Sequence, residues 1–243
     1  MIRPRAAMLL AAGLGTRMRP LTEHMPKPLL PLAGRPLLDH ALDRLEAAGV
    51  ATVVVNTHWH AERVADHLAA RARNGMRIVV RSEGTLLDTG GAVRAALDIL
   101  GPDPFYVVNG DTFWLDGPTP ALTRLAAAWD ATTDAVLLVQ RTFQVHGGRD
   151  TGDFVLDQWG RVRRREPGEI VPYLYAGVQL VSPALFAAAP PGPFSMNLVW
   201  DEAIAAGRLT AVVHDGMWFH LSTPPDLAEA ESNLLAREAG ETR

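Results

Sequence analysis

Short apolar runs alternate with amphipathic segments along about the first 140 residues of the chain. The apolar and β-branched runs predict buried strands over 6–10, 52–56, 77–81, 105–109 and 135–140. Between them, apolar residues recur every three or four positions, which predicts helices over 37–48, 61–73, 90–100 and 118–129. Strands that alternate with helices predict an α/β fold: a doubly wound, mostly parallel, Rossmann-like sheet covered on both faces.

The pattern changes after residue 140. Residues 153–156 and 161–165 alternate on either side of the turn-forming segment 157–160, which predicts a β-hairpin. Further strands are predicted over 173–181 and 209–214, and helices over 183–189, 196–206 and 225–239. We therefore expect a hairpin and extra strands to be added to the parallel sheet in this half of the chain.

Composition limits the classes of partner. The length of 243 residues suits one large α/β domain, with two small domains as the alternative, and a hydrophobic fraction of 48% allows a full core. A net charge of −4 disfavours nucleic acids and anionic membranes, and the lack of cysteine excludes disulfides and thiolate metal sites. The apolar runs are too short for a signal peptide or a membrane span, so we expect a cytoplasmic protein.

A glycine turn and a basic loop follow the first predicted strand. Gly13 and Gly15 allow backbone N–H groups to approach a ligand closely, and consecutive N–H groups form an anion-binding concavity. Arg17, Arg19 and Lys27 add positive charge, which points to a polyphosphate. The loop is neither a Walker loop nor a dinucleotide fingerprint. The alternative is a tight turn with solvated arginines.

Lys27 is the only lysine among the 23 basic residues. A compact ammonium group differs from a planar guanidinium, so a lone lysine inside this loop indicates a specific role. A second candidate, Asp111, follows the apolar strand 105–109. A carboxylate at the carboxyl end of such a strand suits Mg²⁺, although an Asx-type turn would also explain it.

The pattern L-A-A-G-x-G-T-R-x-R-P-L-T followed by P-K-P, at residues 10–28, closely resembles the signature loop of the sugar-nucleotide pyrophosphorylases. These nucleotidyltransferases join a sugar 1-phosphate to a nucleoside triphosphate. The resemblance implies that the nucleotide is bound by Leu10, Ala12, Gly13, Gly15, Thr16, Arg17 and Asn109. It also implies that Asp111 is a Mg²⁺ ligand. Arg17, Lys27 and Asp111 are the predicted catalytic residues.

Residues 82–92 resemble the segment with which this family recognises the base, which assigns Glu83, Gly84 and Gly90 to the nucleotide. A proline of the family pattern is missing after Ser82. Glycines allow backbone groups to read base edges, and helix N-termini suit phosphate. A flexible loop with Thr89 as a helix N-cap is the alternative.

The sugar-phosphate side is assigned by the same resemblance to Asp153, Glu166, Gly177 and His220. Residues 218–224 resemble the family's W-x-D-x-G-T-P segment, but His220 replaces its second metal-binding aspartate and Ser222 replaces its glycine. Imidazole is a poor ligand for a hard, oxygen-seeking ion. A single carboxylate, a phosphate contact by His220, another acid, or a merely packed histidine all remain open.

The resemblance implies a single domain, 1–243, with a nucleotide-binding half over 1–140 and a sugar-phosphate-binding half over 141–224. A C-terminal helix then occupies 225–243. Within the family, the triplet 152–154 and the stretch 175–186 favour N-acetylmuramate 1-phosphate and UTP as substrates. Mannose 1-phosphate with GTP is the alternative, and a non-catalytic nucleotide-binding regulatory subunit is a third possibility. The oligomeric state is left open.

Overall fold

The computed structural model describes residues 2–71, 75–145 and 151–241, with side chains up to residue 237. Within these ranges the strands are β1 Ala6–Leu10, β2 Pro31–Leu32, β3 Arg35–Pro36, β4 Thr52–Thr57, β5 Arg77–Ser82, β6 Phe105–Asn109, β7 Phe113–Leu115, β8 Ala135–Arg141, β9 Phe154–Leu156, β10 Val162–Arg164, β11 Tyr173–Val181, β12 Leu209–Val213 and β13 Met217–Phe219. The α-helices are α1 Leu37–Ala47, α2 Ala61–Arg71, α3 Asp88–Ala95, α4 Leu97–Leu100, α5 Ala121–Ala127, α6 Met196–Ala205 and α7 Pro224–Glu241. Short 3₁₀ helices occupy Thr16–Met18, Lys27–Leu29, Thr142–Gln144 and Pro183–Phe186.

The central sheet has the order β5-β4-β1-β6-β11-β8-β12. Strands β1, β4, β5 and β6 are parallel, and β12 is parallel to β8. Strand β11 is antiparallel to both of its neighbours, β6 and β8. The prediction of a mostly parallel α/β sheet with added strands is confirmed. The antiparallel strand in its middle has no signal in the local sequence pattern.

Both faces of the sheet are covered, because alternate side chains of each buried strand point to opposite sides. Leu9 and Val53 pack with α1, α2 and α5, whereas Met8 and Val54 pack with α3, α4 and α6. No helix in the described part of the chain is long and apolar enough to cross a membrane.

The predicted hairpin is present, since β9 and β10 pair antiparallel. Its position follows from β11. Val178 of β11 pairs with Val108 of β6, whereas Tyr173, five residues earlier, pairs with Phe154 of β9. Because β11 runs opposite to β6, its first residues extend beyond the carboxyl end of β6. The hairpin therefore lies at the edge of the sheet where the parallel strands end.

A third apolar cluster fixes the segments outside the main sheet. It joins Met18 of the basic loop, Phe113 of β7, Phe219 of β13 and Leu227 of α7. Strands β7 and β13, which pair with each other, were not predicted. The predicted helix over 90–100 is divided at Ala96, and the one over 183–189 is a 3₁₀ turn. The last residues of the predicted helix 61–73 lie outside the described residues.

Candidate active site

The site lies where β1, β4 and β6 end. The strand register aligns Leu10 with Asn56 on one side and with Asn109 on the other. Ligands bind beyond the carboxyl ends of strands in sheets of this kind. A cavity of about 480 Å³ opens at this edge, and the predicted residues that line it are Leu10, Ala12, Gly13, Gly15, Thr16, Arg17, Lys27, Glu83, Asn109 and Asp111.

The glycine turn brings the loop back over this cavity. Gly15 has a φ of +60°, and a Cβ there would lie 3.0 Å from Cγ2 of Thr22 and 3.1 Å from Cβ of Lys27. The Thr22 hydroxyl donates a hydrogen bond of 2.8 Å to the Gly15 carbonyl. Glycine is therefore required here by backbone conformation and by close packing. Gly13 has open space around it, and its backbone faces the cavity.

Buried Met18 anchors the short 3₁₀ helix that follows, while Arg17 is exposed at the cavity. No described acidic side chain lies within 4.0 Å of the Arg17 guanidinium. Its charge is therefore available to an anion. Arg19, which the sequence also offered as a cation, does not line the cavity.

Lys27 and Asp111 form an ion pair, with 2.7 Å between Nζ and Oδ2. The Lys27 side chain is 9% exposed and that of Asp111 is 42% exposed. Lys27 begins a 3₁₀ helix between two prolines, which restricts the backbone beside it. Gly110 allows Asp111 to approach β1, because a Cβ at Gly110 would lie 2.8 Å from the Leu10 carbonyl oxygen.

A buried polar network supports the other end of the cavity. The Asn56 Oδ1 accepts a 2.8 Å hydrogen bond from the Ala11 N–H, and the Asn56 Nδ2 donates one of 2.8 Å to Glu83. The second Glu83 oxygen accepts from the Leu87 N–H at 3.0 Å. Glu83 thus fixes the loop after β5 to the ends of β4 and β1. The sequence reasoning missed Asn56, although a polar residue at the end of an apolar strand is the signal that pointed to Asp111.

Two further cavities, of about 280 and 210 Å³, adjoin the first. Asn109 lines all three, and Asp153 and Tyr175 line both of the smaller ones. The Asp153 Oδ2 accepts a 2.9 Å hydrogen bond from the Tyr175 N–H, which holds the hairpin against β11. Burial raises the pKa of the Tyr175 phenol, so this hydroxyl stays protonated.

Gly177 and His220 both line the 210 Å³ cavity, together with Arg17, Lys27 and Asp111. Gly177 has a φ of +78° and lies at an irregularity of β11, where a Cβ would be 3.1 Å from the Thr112 side chain. His220 packs beside Trp218, with ring centroids 5.7 Å apart. The structure therefore brings these two residues to the same space as the Lys27–Asp111 pair.

Three predicted residues do not line these cavities. Glu166 has a side chain that is 77% exposed and lies 3.8 Å from Arg163. Gly84 is not part of the lining either. Gly90 packs against the segment before α6, where a Cβ would be 2.4 Å from the Phe194 ring. Thr89 is not an N-cap, because α3 begins at Asp88. Instead, the Thr89 Oγ1 accepts a 2.9 Å hydrogen bond from the Met196 N–H.

Among the described residues, no cluster of three His, Asp or Glu side chains could hold a metal ion. Asp111 is the carboxylate at the centre of the site, and its Oδ1 has no hydrogen-bond partner among the same residues. One carboxylate completed by water and phosphate oxygens suits Mg²⁺, which rarely occupies an all-protein cage. The donor set therefore fits a magnesium ion that arrives with a phosphate ligand.

The model of the nucleotidyl transferase family matches residues 6–145, and the chain belongs to this family. It is a sugar-1-phosphate nucleotidyltransferase, an enzyme class that couples a sugar 1-phosphate with a nucleoside triphosphate and releases pyrophosphate. The family predicted from the sequence is confirmed.

One relative is the N-acetylmuramate alpha-1-phosphate uridylyltransferase of Caulobacter vibrioides, 44% identical over 235 residues, which cover 95% of this chain and 97% of the relative. The protein of the same name from Neisseria meningitidis serogroup B is 32% identical over 228 residues, covering 93% and 96%. A solved structure of a putative glucose-1-phosphate thymidylyltransferase from Bacillus anthracis shares the fold. Its TM-score is 0.78 at 20% identity, with 93% of this chain and 94% of that chain covered.

Proposed function

We propose that the enzyme transfers a uridylyl group from UTP to N-acetylmuramate 1-phosphate and releases pyrophosphate. The identity to two relatives of that activity over nearly their whole length supports this choice of substrates. The site supports the same reaction, since a large cavity and two smaller ones meet at Asn109. In this proposal the large cavity takes the nucleotide and the smaller ones take the sugar phosphate.

The contact between Lys27 and Asp111 carries the proposal. Two polyanionic substrates repel each other, and a reaction between them needs positive charge at the point where they meet. Lys27 lines the large cavity and the 210 Å³ cavity, so its ammonium group can contact both substrates. It is held for this role by Asp111, 2.7 Å away.

In the proposed step, an oxygen of the sugar 1-phosphate attacks the α-phosphorus of UTP. The bond to the bridging oxygen of the β-phosphate breaks, and pyrophosphate leaves in line. The attacking oxygen is already ionised at neutral pH, so no general base is needed. Catalysis then consists of positioning and of neutralising charge. Arg17 binds the β- and γ-phosphates, and Lys27 bridges the α-phosphate and the sugar phosphate.

Asp111 is the proposed ligand of Mg²⁺, on which enzymes of this family generally depend. When bound, the ion neutralises charge on the α-phosphate. With Asp111 as the ligand that would hold the ion, the Lys27 ammonium would pair with phosphate oxygens instead of with Asp111. His220, which lines the cavity of Lys27 and Asp111, is proposed to contact the sugar phosphate.

The nucleotide is proposed to lie along the ends of β1 and β6. The backbone of the loop from Leu10 to Thr16 would donate to its phosphates. The segment from Glu83 to Leu86, whose two end residues line the large cavity, would read the base through backbone groups, with Glu83 fixing that segment through Asn56 and Leu87.

Release of pyrophosphate tests the proposal. The enzyme is incubated with Mg²⁺ and each combination of UTP, GTP, CTP or dTTP with N-acetylmuramate 1-phosphate, mannose 1-phosphate or glucose 1-phosphate. The expected result is the highest kcat/KM for UTP with N-acetylmuramate 1-phosphate. A preference for GTP with mannose 1-phosphate would overturn the choice of substrates. Nucleotide binding without release of pyrophosphate from any pair would overturn the catalytic proposal itself.

A further inference from the structure

The 280 Å³ cavity contains a cation that the reaction described so far does not use. Arg164 lines this cavity together with Asn109, Asp153 and Tyr175. It is the last residue of β10, in the hairpin that lies over the carboxyl ends of the parallel strands. Of the residues that line the cavity, only Arg164 and Asp153 carry charge.

The guanidinium of Arg164 is held in one orientation. Its Nε donates a 2.7 Å hydrogen bond to Asp201, and its Nη2 lies 3.3 Å from the Asn197 carbonyl oxygen. Its guanidinium carbon lies over the rings of Phe154 and Trp200, 5.2 and 5.6 Å from their centroids. These hydrogen bonds use Nε and Nη2, and Nη1 has no hydrogen-bond partner among the described residues.

This arrangement is more than a neutral sugar requires. Hydroxyl groups are recognised by amides, hydroxyls and carboxylates, and they do not need a permanent cation. A carboxylate needs a cation, because transferring its charge into a cavity lined by aromatic rings costs free energy unless an opposite charge is present. A pre-oriented guanidinium is well suited to a carboxylate. Among the described residues Arg164 pairs with Asp201 through Nε, and it forms no ion pair with Asp153, whose Oδ2 accepts from the Tyr175 N–H.

We propose that Arg164 binds a carboxylate on a substituent of the sugar in the sugar 1-phosphate and thereby selects acidic sugars. The inference rests on the proposed function, because N-acetylmuramate is N-acetylglucosamine with a lactyl ether that carries a carboxylate. Arg164 is then a specificity-determining residue in the sugar cavity, remote from the transferred phosphate. Asp201 is a positioning residue that orients the guanidinium through Nε.

The neighbouring arginine provides a matched control. Side chains at successive positions of a strand point to opposite sides. Arg163 accordingly points away from the cavity and pairs with Glu169 at 2.7 Å, on the exposed side of the hairpin. Arg163→Gln removes the same charge from the same strand, so it separates a local effect of Arg164 from a general effect of net charge.

The test compares kcat/KM for N-acetylmuramate 1-phosphate with that for N-acetylglucosamine 1-phosphate, both with UTP. Arg164→Gln is expected to lower the ratio of the two values by about 10- to 100-fold, the loss typical of a hydrogen bond between charged groups. Arg164→Lys should give an intermediate ratio, because the charge stays and the fork is lost. Arg163→Gln should keep the wild-type ratio. If turnover of the neutral sugar is too slow to measure, dissociation constants from calorimetry replace kcat/KM.

A ratio in Arg164→Gln that equals the wild-type ratio would overturn the inference, whether both activities fall together or neither falls. The first of these outcomes would mean that Arg164 only joins the hairpin to α6, and a matching loss of melting temperature would identify it. Failure of the proposed function is a different result. It would be seen in the wild-type enzyme, as the absence of pyrophosphate release from UTP with N-acetylmuramate 1-phosphate.

Discussion

Lys27 and Asp111 are 84 positions apart in sequence, yet Nζ and Oδ2 are 2.7 Å apart. The two members of the pair differ in their surroundings, since the ammonium side chain is 9% exposed and the carboxylate side chain is 42% exposed. The buried Lys27 ammonium therefore depends on the accessible Asp111 carboxylate to balance its charge. A buried charge that loses its partner costs more free energy than an accessible one.

Loss of either partner is therefore expected to abolish most turnover but to affect stability unequally. Asp111→Asn and Lys27→Met should each lower kcat by about 100- to 1000-fold, as removal of a preorganised charge at a transition state does. Asp111→Asn should also lower the free energy of unfolding by about 1–3 kcal/mol, because Lys27 stays charged and buried. Lys27→Met should cost less, because it leaves a carboxylate that water reaches. Urea unfolding and pyrophosphate release measure the two effects, and equal losses of stability would contradict the asymmetry.

The hydrogen bonds between Asn56 and Glu83 predict that a change at Glu83 affects binding of the nucleotide but not of the sugar phosphate. In Glu83→Gln, one of the two donors, Asn56 Nδ2 or Leu87 N–H, faces an amide group that cannot accept. The loop after β5 is then loosened, and KM for the nucleoside triphosphate should rise about tenfold. KM for the sugar phosphate should stay at its wild-type value. Glu62→Gln, on the exposed face of α2, is the matched control. An equal rise in both KM values would contradict this reading of Glu83.

Two glycines predicted to bind the nucleotide should behave differently. Gly13→Ala adds a methyl group in open space, so the melting temperature should not change, whereas kcat/KM should fall because the methyl group stands in the cavity. Gly90→Ala drives a Cβ to within 2.4 Å of the Phe194 ring, and it should lower the free energy of unfolding by about 1–3 kcal/mol. Thermal melts and initial rates distinguish the two. A destabilised Gly13→Ala would mean that the turn is needed for folding and not for a ligand.

A buried histidine, His214, and a partly buried one, His40, predict that stability falls at mildly acidic pH. Burial lowers the pKa of His214, whose Nε2 lies 3.1 Å from the Leu115 carbonyl oxygen, and burial is also the main cause of the lowered pKa of His40. The unfolded chain then binds more protons than the folded chain once the pH drops below the ordinary value of 6.5. The stability from the neutral rings is complete above that pH and is lost towards the folded-state pKa values. The slope is at most about 1.4 kcal/mol per pH unit for each histidine.

Urea unfolding at a series of pH values from 7.5 to 5.5 measures this slope. His214→Gln retains a donor for the Leu115 carbonyl but cannot titrate, so its free energy of unfolding should depend less on pH than that of the wild type. The comparison concerns the slope and not the absolute stability, which the substitution itself lowers. A variant with the wild-type slope would show that His214 does not contribute to the pH dependence.

The pattern of hydrophobic residues predicted the strands and helices whose own residues show a strong hydrophobic periodicity. The strands β1, β4, β5, β6 and β8 and the hairpin β9–β10 were found at or within a few residues of their observed bounds, because buried runs and alternation are local properties. Strands β7 and β13 were missed because they pair with each other over a long separation in sequence, whereas the turn at 157–160 marks the equally short strands of the hairpin. The division of one predicted helix at Ala96 was missed because apolar spacing continues across it.

For the site, the sequence by itself determined which chemical groups are present. The glycine turn, the single lysine and the strand-end aspartate could be read directly, because each depends on residue type and near neighbours. The family could be read as well, because its loop motif is contiguous. The contact between Lys27 and Asp111 could not be read in this way, since nothing in a linear chain measures a distance across 84 positions.

Tertiary structure alone decided which of these groups meet. Neither Asn56 nor Arg164 was predicted as a site residue, because each becomes significant only through register and packing. Asn56 lies beside Leu10, and Arg164 is turned towards the cavity by the hairpin. Glu166, three positions from Arg163, faces solvent instead. The physical reason is that charge acts through space. The strand order that brings β6, β11 and the hairpin together is set by burial of both sheet faces, which involves the whole chain at once.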